Sequence, residues 1–570
     1  MRLTSTASIL AILLSTAISP AWAVKFEQQQ DKYLIDNGKL KITLAASGNI
    51  THLEMGSNNL LAHLSGTQRD PDKIRSGYLD YHSGRVTPFI ANKFTLIENT
   101  PQRLHIMFQG ENPEKLALEY HYIIPQGSSG FYSYVVAENK TPKPVLVSEL
   151  RVVYRFDPLR LNHLFNGQRD GIPLLYSALE KLPKIQDETW RLPSGDVYSK
   201  YDFAGYQRQL PFWGVYGDGL GAWLIPASPE YFSGDSNKQE LLVHQDAIVL
   251  NYLTGAHLGS PDMIAPPGWQ KLYGPWFMYF NQGDAETLKQ DVQRQALAEQ
   301  RAWPYTWVKD DRYSTQRAEV LGRVLSPTKV NVTLSSSLTE PTDVQTLGYA
   351  WSSTSDAQGR IAFNNVVKGQ YRLDVYASEG QRPGLLYSTT VNIQDDATVL
   401  ADITLPPFVA PLWSIGQSDR SASEFRFGNA PRGWQWQHRV PASLTFDIGR
   451  SDPHQDWYYA QTQPGDWSIR FSDTADRQPR YLNVAFAAVS NFGMDHPTKP
   501  VMQVLLNNKV IKTLAYENDK AIYRGATRSG KYHNEKIELP ADKMVNGNNT
   551  VTFRLQGGAF MYDFISWSKK

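Results

Sequence analysis

The chain has 570 residues, and at about 150 residues per domain it should divide into three or four units. Lys and Arg total 57 against 56 Asp and Glu, which excludes the broad basic field of a general nucleic-acid or membrane-surface binder but not a local basic pocket for an acidic ligand. With 15 Trp, 30 Tyr, 23 Phe, 40 Gly, 34 Pro and 20% charged residues, the composition is that of a turn-rich β protein with large cores, not of a coiled coil or a disordered chain.

At the N-terminus, Arg2 precedes an apolar run from Ile9 to Ile18, and Ala21-Trp22-Ala23 closes the segment. A basic start, a short apolar stretch and an A-x-A site predict a secretory signal peptide over residues 1–23, cleaved after Ala23. No later run reaches the ~18 apolar residues of a transmembrane helix. The absence of Cys removes disulfides, Cys-ligated zinc and a thiol nucleophile. The expected location is therefore secreted, extracellular or periplasmic in transit.

Residues 24–310 are expected to form a first, β-rich domain. Lys39 to Leu44 alternates strictly, and Leu116 to Ile124 and Phe131 to Val136 read as strands joined by the turn Pro125 to Gly130. One helix is predicted near its end: Asp284 is a candidate N-cap, Leu288, Val292 and Ala296 recur every four residues, and Pro304 stops the pattern after Trp303. Residues 311–407 read as a smaller sandwich with strands at Val324 to Leu334, Gly359 to Phe363 and Gly369 to Val375, and Pro406-Pro407 marks a linker. Residues 408–570, with strands at Val501 to Leu506, Thr550 to Leu555 and Met561 to Trp567, suggest a jelly roll of carbohydrate-binding type.

Several motifs fail. Gly217-Asp218-Gly219-Leu220-Gly221 misplaces the third glycine of a dinucleotide fingerprint and runs into the apolar stretch Trp223-Leu224-Ile225, so a hairpin turn explains it better. No G-x-S-x-G elbow, H-E-x-x-H pair or Walker A loop is present. The 12 His show no zinc spacing; an Asp-rich stretch such as Asp452 to Asp456 is a candidate for structural calcium or a plain polar loop. Paired carboxylates for glycoside hydrolysis are spatial and invisible at this level.

The most informative segment is Glu149 to Phe156. Period two puts Leu150, Val152, Tyr154 and Phe156 on one face and Arg151 and Arg155 on the other, the two guanidiniums about 13 Å apart along the strand. That pair suits a cleft for an anionic polymer, although an ordinary solvated strand face explains it too. Leu241 to Leu253 is a further strand region, ending in Thr254-Gly255-Ala256-His257. His244, flanked by apolar residues, reads as structural, and Trp190, Trp213 and Trp223 are divided between core and sugar-stacking roles.

The order Glu149-Leu150-Arg151-x-x-x-Arg155, Ser199-Lys200-Tyr201, Ser233 to Leu241, Gly255-Ala256-His257 and Tyr273-Gly274-Pro275-Trp276-Phe277 resembles the rhamnogalacturonan lyases of polysaccharide lyase family 4, in their bacterial, pectin-degrading form. Trp413 to Gly416, Asp419-Arg420, Ala521 to Gly525 and Tyr562 to Ile565 extend the resemblance to a third domain. It implies a multidomain all-β protein: a β-supersandwich catalytic domain, a fibronectin-III-like domain and a jelly roll. It further implies β-elimination at the rhamnose-(1→4)-galacturonate bond of rhamnogalacturonan I, with no required cofactor. By the same resemblance Lys200 is the base, His257 the acid, Arg151 and Arg155 the carboxylate ligands, and Tyr252 and Tyr201 further substrate contacts. Leu250 stands where some fungal members have another Tyr. The expected partner is pectic polysaccharide, with no nucleic acid and no membrane, and the expected state is a monomer.

The chemistry asks for such residues. The C5 proton of a uronate is only weakly acidic beside a charged carboxylate, so cations must stabilise the developing enolate. Arg does this bidentately and never loses its charge. A Lys base must be neutral, and its ordinary pKa of about 10.4 has to be lowered by burial or nearby cations. A His near neutral pH can protonate the leaving oxygen. Two alternatives stay open on sequence alone: a glycoside hydrolase acting on pectic side chains, and a non-catalytic glycan-binding protein.

Overall fold

The computed structural model describes residues 23–61, 77–84, 86–110, 115–428, 439–474, 478–493, 496–526, 528, 530–539 and 543–569. Apart from Ala23, the expected signal peptide lies outside them. The protein is a multidomain all-β chain. Its first part stacks a ten-stranded sheet on a nine-stranded one, and their facing apolar rows share one large core that includes Leu79, Leu150, Val152, Tyr154, Trp213 and Trp276. A second, smaller core gathers around Val320, Val332, Leu373 and Val375 between two four-stranded sheets, and a third around Trp457, Trp467, Phe553 and Trp567 between two five-stranded sheets.

Local expectations are met where the pattern is strong. Strands run over Ala117–Pro125 and Gly130–Glu138, and the helix over Ala285–Ala302 begins at Asp284, whose carboxylate accepts from the Thr287 N–H. That helix seats Leu288, Val292 and Ala296 against Phe212 and Trp223 on the back of the nine-stranded sheet. Trp213–Gly217 and Leu220–Ile225 form a hairpin whose turn holds Asp218 and Gly219 at positive φ, so the glycines there do serve a turn. Trp190, Trp213 and Trp223 are all buried in the interior.

Two continuous runs are broken instead. Val324 to Leu334 divides into Arg317–Leu325 and Val330–Ser335, because Pro327 sits in the intervening turn and has no N–H for a ladder. Leu241 to Leu253 divides into Glu240–Leu241, Val243–His244 and Ile248–Gly255, with Asp246 and Ala247 at positive φ making a tight turn. Among the described residues no helix is long and apolar enough to cross a membrane.

The strand Glu149–Arg155 lies in the middle of the ten-stranded sheet, paired with Gly77–His82 on one side and Ile248–Gly255 on the other. Leu150, Val152 and Tyr154 enter the core, so Glu149, Arg151, Val153 and Arg155 stand on the outer face. Leu150 pairs with Thr254 but Arg151 with Tyr252, which leaves Leu253 as a bulge and turns Tyr252 to the outer face beside Arg151.

Candidate active site

Register alone builds a polar row across the outer face of the sheet. Cross-strand rows place His82 beside Glu149, Asp80 beside Arg151 beside Tyr252, and Tyr78 beside Val153 beside Leu250. Tyr78, Val153, Tyr201, Leu241, Ile248, Leu250 and Tyr252 form a separate buried apolar cluster under this face. Leu250 thus contributes packing where a Tyr would have offered a hydroxyl.

Arg151 is held from several sides. Its Nε and Nη2 donate to Asp80 Oδ1 and Oδ2 at 2.7 and 3.2 Å, and its Nη1 to Glu149 Oε2 and the Tyr252 hydroxyl at 3.0 Å each. Asp80 is 3% exposed, so this is a buried, charge-assisted network. Arg155 differs: its Nε and Nη2 donate only to the Tyr78 hydroxyl, at 3.2 and 2.9 Å, and among the described residues it pairs with no carboxylate.

His257 follows the strand Ile248–Gly255 and is 4% exposed. Its Nε2 lies 3.2 Å from Glu149 Oε1 and its Nδ1 3.0 Å from Glu240 Oε1. Lys238 braces the arrangement, donating to the His257 carbonyl at 2.8 Å and lying 3.4 Å from Glu240 Oε2. Burial works against ionising Glu149, yet His257, Arg151 and His82 together hold it well below the usual carboxylate range. Glu240 is lowered likewise, Lys238 and His257 outweighing its burial.

Lys200 arrives from above. A small sheet of Lys184–Gln186, Thr189–Arg191 and Val197–Ser199 leads into one turn of 3-10 helix, Lys200–Phe203, begun by Ser199 Oγ accepting from the Tyr201 N–H. The backbone N–H of Lys200 donates to the Glu188 carbonyl, which fixes the side chain next to the 187–188 turn. Lys200 is half-buried, and among the described residues its ammonium makes no hydrogen bond or ion pair. Burial first, and the Arg151 charge with it, lower its pKa, against the pull of Glu188, Asp187 and Glu149.

Each of those three carboxylates already has its own cation. Glu188 Oε1 is 2.7 Å from Lys184 Nζ, Asp187 Oδ2 is 2.5 Å from Arg524 Nη2, and Glu149 meets Arg151 and His257. The acids that would otherwise clamp Lys200 as an ammonium are thus engaged elsewhere.

The sequence-nominated residues Lys200, His257, Arg151, Arg155, Tyr201 and Tyr252 therefore meet in one place. The Tyr201 ring lies 5.7 Å from Lys200 Nζ and 6.0 Å from the His257 ring. Tyr201 and Tyr252 are buried rather than open to a ligand, and they bond Asp187 and Arg151 respectively. His244 also joins the cluster: burial, then Lys200, Arg155 and Arg151, lower its pKa well below the usual value.

Asp80, His82 and Asp187 lie outside every sequence motif, and Lys238, Glu240 and Arg524, though inside the segments Ser233 to Leu241 and Ala521 to Gly525 that carry the resemblance, were not nominated as site residues. Asp80 and Arg151 are 71 residues apart and Asp187 and Arg524 are 337 apart, so only the fold joins them. Among the described residues no group of three or more His, Cys, Asp or Glu is disposed to hold a metal ion. In the Asp452 to Asp456 stretch, Asp452 caps the short helix Pro453–Asp456 and Asp456 accepts from the Asp452 N–H, so both carboxylates act as local caps.

Residues 13–169 match the Rhamnogalacturonate lyase family, and residues 411–567 match domain III of polysaccharide lyase family 4, described as CBM-like. The chain is 50% identical to a rhamnogalacturonate lyase of Dickeya dadantii over 98% of its own length and 97% of that protein's. It is 24% identical to a probable rhamnogalacturonate lyase B of Aspergillus niger, covering 96% and 89% of the two chains. The figures for rhamnogalacturonate lyase B of Emericella nidulans are 24%, 96% and 96%. With half of its residues shared across nearly the entire length of a rhamnogalacturonate lyase, the chain belongs to the rhamnogalacturonate lyase family and is a polysaccharide lyase.

Proposed function

We propose that the protein is an exported lyase that cuts rhamnogalacturonan I at the bond joining rhamnose to O4 of galacturonate, by β-elimination. Arg155, whose guanidinium pairs with no carboxylate among the described residues, receives the galacturonate carboxylate and stabilises the enolate charge that grows on it. Arg151, fixed by Asp80 and Glu149, adds positive potential without direct binding. The neutral amine of Lys200 takes the C5 proton, the C–H electron pair forms the C4–C5 double bond, and the C4–O bond breaks. His257 hands its Nε2 proton, which rests on Glu149 in the free protein, to the departing rhamnosyl oxygen. The lysine ammonium then loses its proton to water and the imidazole regains one. Tyr201 and Tyr252 act by holding Asp187 and Arg151.

The observation that carries this reading is the amine of Lys200, left without a counter-ion among the described residues while Glu188, Asp187 and Glu149 are each paired with another cation. The export part rests on the basic, apolar and A-x-A pattern of residues 1–23. The test is ultraviolet absorbance during incubation with rhamnogalacturonan I, since elimination alone creates an unsaturated uronate. The expected result is rising absorbance with the parent protein and none with Lys200→Ala. Bond cleavage without absorbance, or undiminished turnover by Lys200→Ala, overturns the proposal.

A further inference from the structure

The C-terminal module does not merely adjoin the site. Ile185, Val197, Ala204 and Leu258, all within a few residues of Lys200 or His257 or of the turn facing them, belong to its hydrophobic core together with Phe486, Ile522 and Met561. Gly259 donates its N–H to the Asp519 carbonyl, and a Cβ on Gly259 would lie 2.3 Å from Gly530. At this junction the short turn Ile522–Arg524 projects Arg524 into the site. Its Nε and Nη2 lie 3.1 and 2.5 Å from Asp187 Oδ2, and its guanidinium stands 4.8 Å from the Tyr201 ring centre. The Tyr201 hydroxyl donates to the same oxygen at 3.0 Å.

We propose that Arg524 is a positioning residue of the elimination: from the C-terminal module it holds Asp187 away from Lys200 and so keeps the base amine without a counter-ion. The inference rests on Lys200 being the base. The Asp187 side chain is 39% exposed, so without Arg524 only the Tyr201 hydroxyl restrains it, and among the described residues the amine beside it makes no hydrogen bond or ion pair. A freed carboxylate would pair with the ammonium and make it harder to deprotonate. The other groups around Lys200 do not offset this. Glu188 is held by Lys184, Glu149 by Arg151 and His257, and half-buried His244 has its pKa depressed. Burial raises the Asp187 pKa, but Arg524 outweighs it and Asp187 is held ionised, with Lys200 next among its influences.

The test is the pH profile of kcat/KM for the full-length protein. Arg524→Gln should move the acidic limb upward by about one pH unit or more, with activity recovering at high pH and KM little altered. Adding Asp187→Asn to Arg524→Gln should return the limb to its parental position. Asp187→Asn alone, which leaves the Arg524 cation unopposed, should move the limb downward, and it serves where Arg524→Gln does not fold. An unmoved limb in folded Arg524→Gln, or in Asp187→Asn, overturns the proposal, as does a double variant that keeps the shift; a purely structural Arg524 would lower activity at every pH alike. Failure of the base assignment looks different, because Lys200→Ala would then retain turnover.

Discussion

Arg155 donates to the hydroxyl of Tyr78 at 2.9 Å and reaches no carboxylate among the described residues, although it shares a strand face with Arg151, which is held by two. Two arginines four residues apart thus do different work. The first is built into a network of carboxylates on the outer face of the sheet, and the second is left with a neutral hydroxyl as its partner among the described residues.

Replacing each arginine by alanine should separate these roles. Arg155→Ala should leave the melting temperature near that of the parent while kcat/KM falls by about 10²–10³, the loss typical of one missing oxyanion donor. Arg151→Ala leaves buried Asp80 without its cation, and about 3–5 kcal/mol of stability should be lost. Melting curves beside initial rates on rhamnogalacturonan distinguish them.

Lys200→Arg should be nearly as inactive as Lys200→Ala. Arginine keeps a positive charge in the same place but does not deprotonate at any working pH, so it supplies potential without a base. The expected loss is about 10²–10⁴ in kcat, read by ultraviolet absorbance. Substantial activity in Lys200→Arg would mean that position 200 contributes charge and not proton transfer.

The acidic limb of the rate profile should lie below the ordinary lysine value of 10.5, because burial and the Arg151 charge both favour the neutral amine. With Lys200 as the proposed base, activity should be absent while it is protonated and should rise as pH climbs through its lowered pKa. Lys184→Gln, which releases Glu188 beside the amine, should push that limb upward.

Stability should follow the opposite kind of group. Glu149 and Glu240 have folded pKa values below their ordinary 4.5, so the unfolded chain binds protons first as the medium is acidified. Their stabilising contribution is complete above pH 4.5 and is lost as pH falls through the lowered folded values. Melting temperatures measured downward from pH 6 should fall steeply below about pH 4.5. In Glu240→Gln the curve should start lower and slope less.

What the sequence made legible follows from the range of the interactions. The alternation of Glu149 to Phe156 puts the arginines on one face because a strand repeats every two residues, and Asp284 begins its helix through a bond to a neighbour three residues on. Lys200 and His257 came from the family resemblance, since neither a lone lysine nor a lone histidine announces chemistry. The bulge at Leu253, which turns Tyr252 toward Arg151, left no local mark. The pairing of Asp80 with Arg151 comes from sheet register, and that of Asp187 with Arg524 from the docking of modules; no local period encodes either. The strand expected from Val324 to Leu334 ran through Ser326-Pro327-Thr328-Lys329, a polar stretch around a proline where the turn forms.

The apolar residues that Lys200 and His257 share with the C-terminal core have a practical corollary. Ile185, Val197, Ala204 and Leu258 would face water if the chain were cut after its second core, and the segments bearing Lys200 and His257 would lose their backing. A shortened enzyme is therefore expected to be inactive even on oligosaccharides too small to reach any distant sugar-binding surface, and replacing the last module with that of another protein would require redesigning the seam along with it.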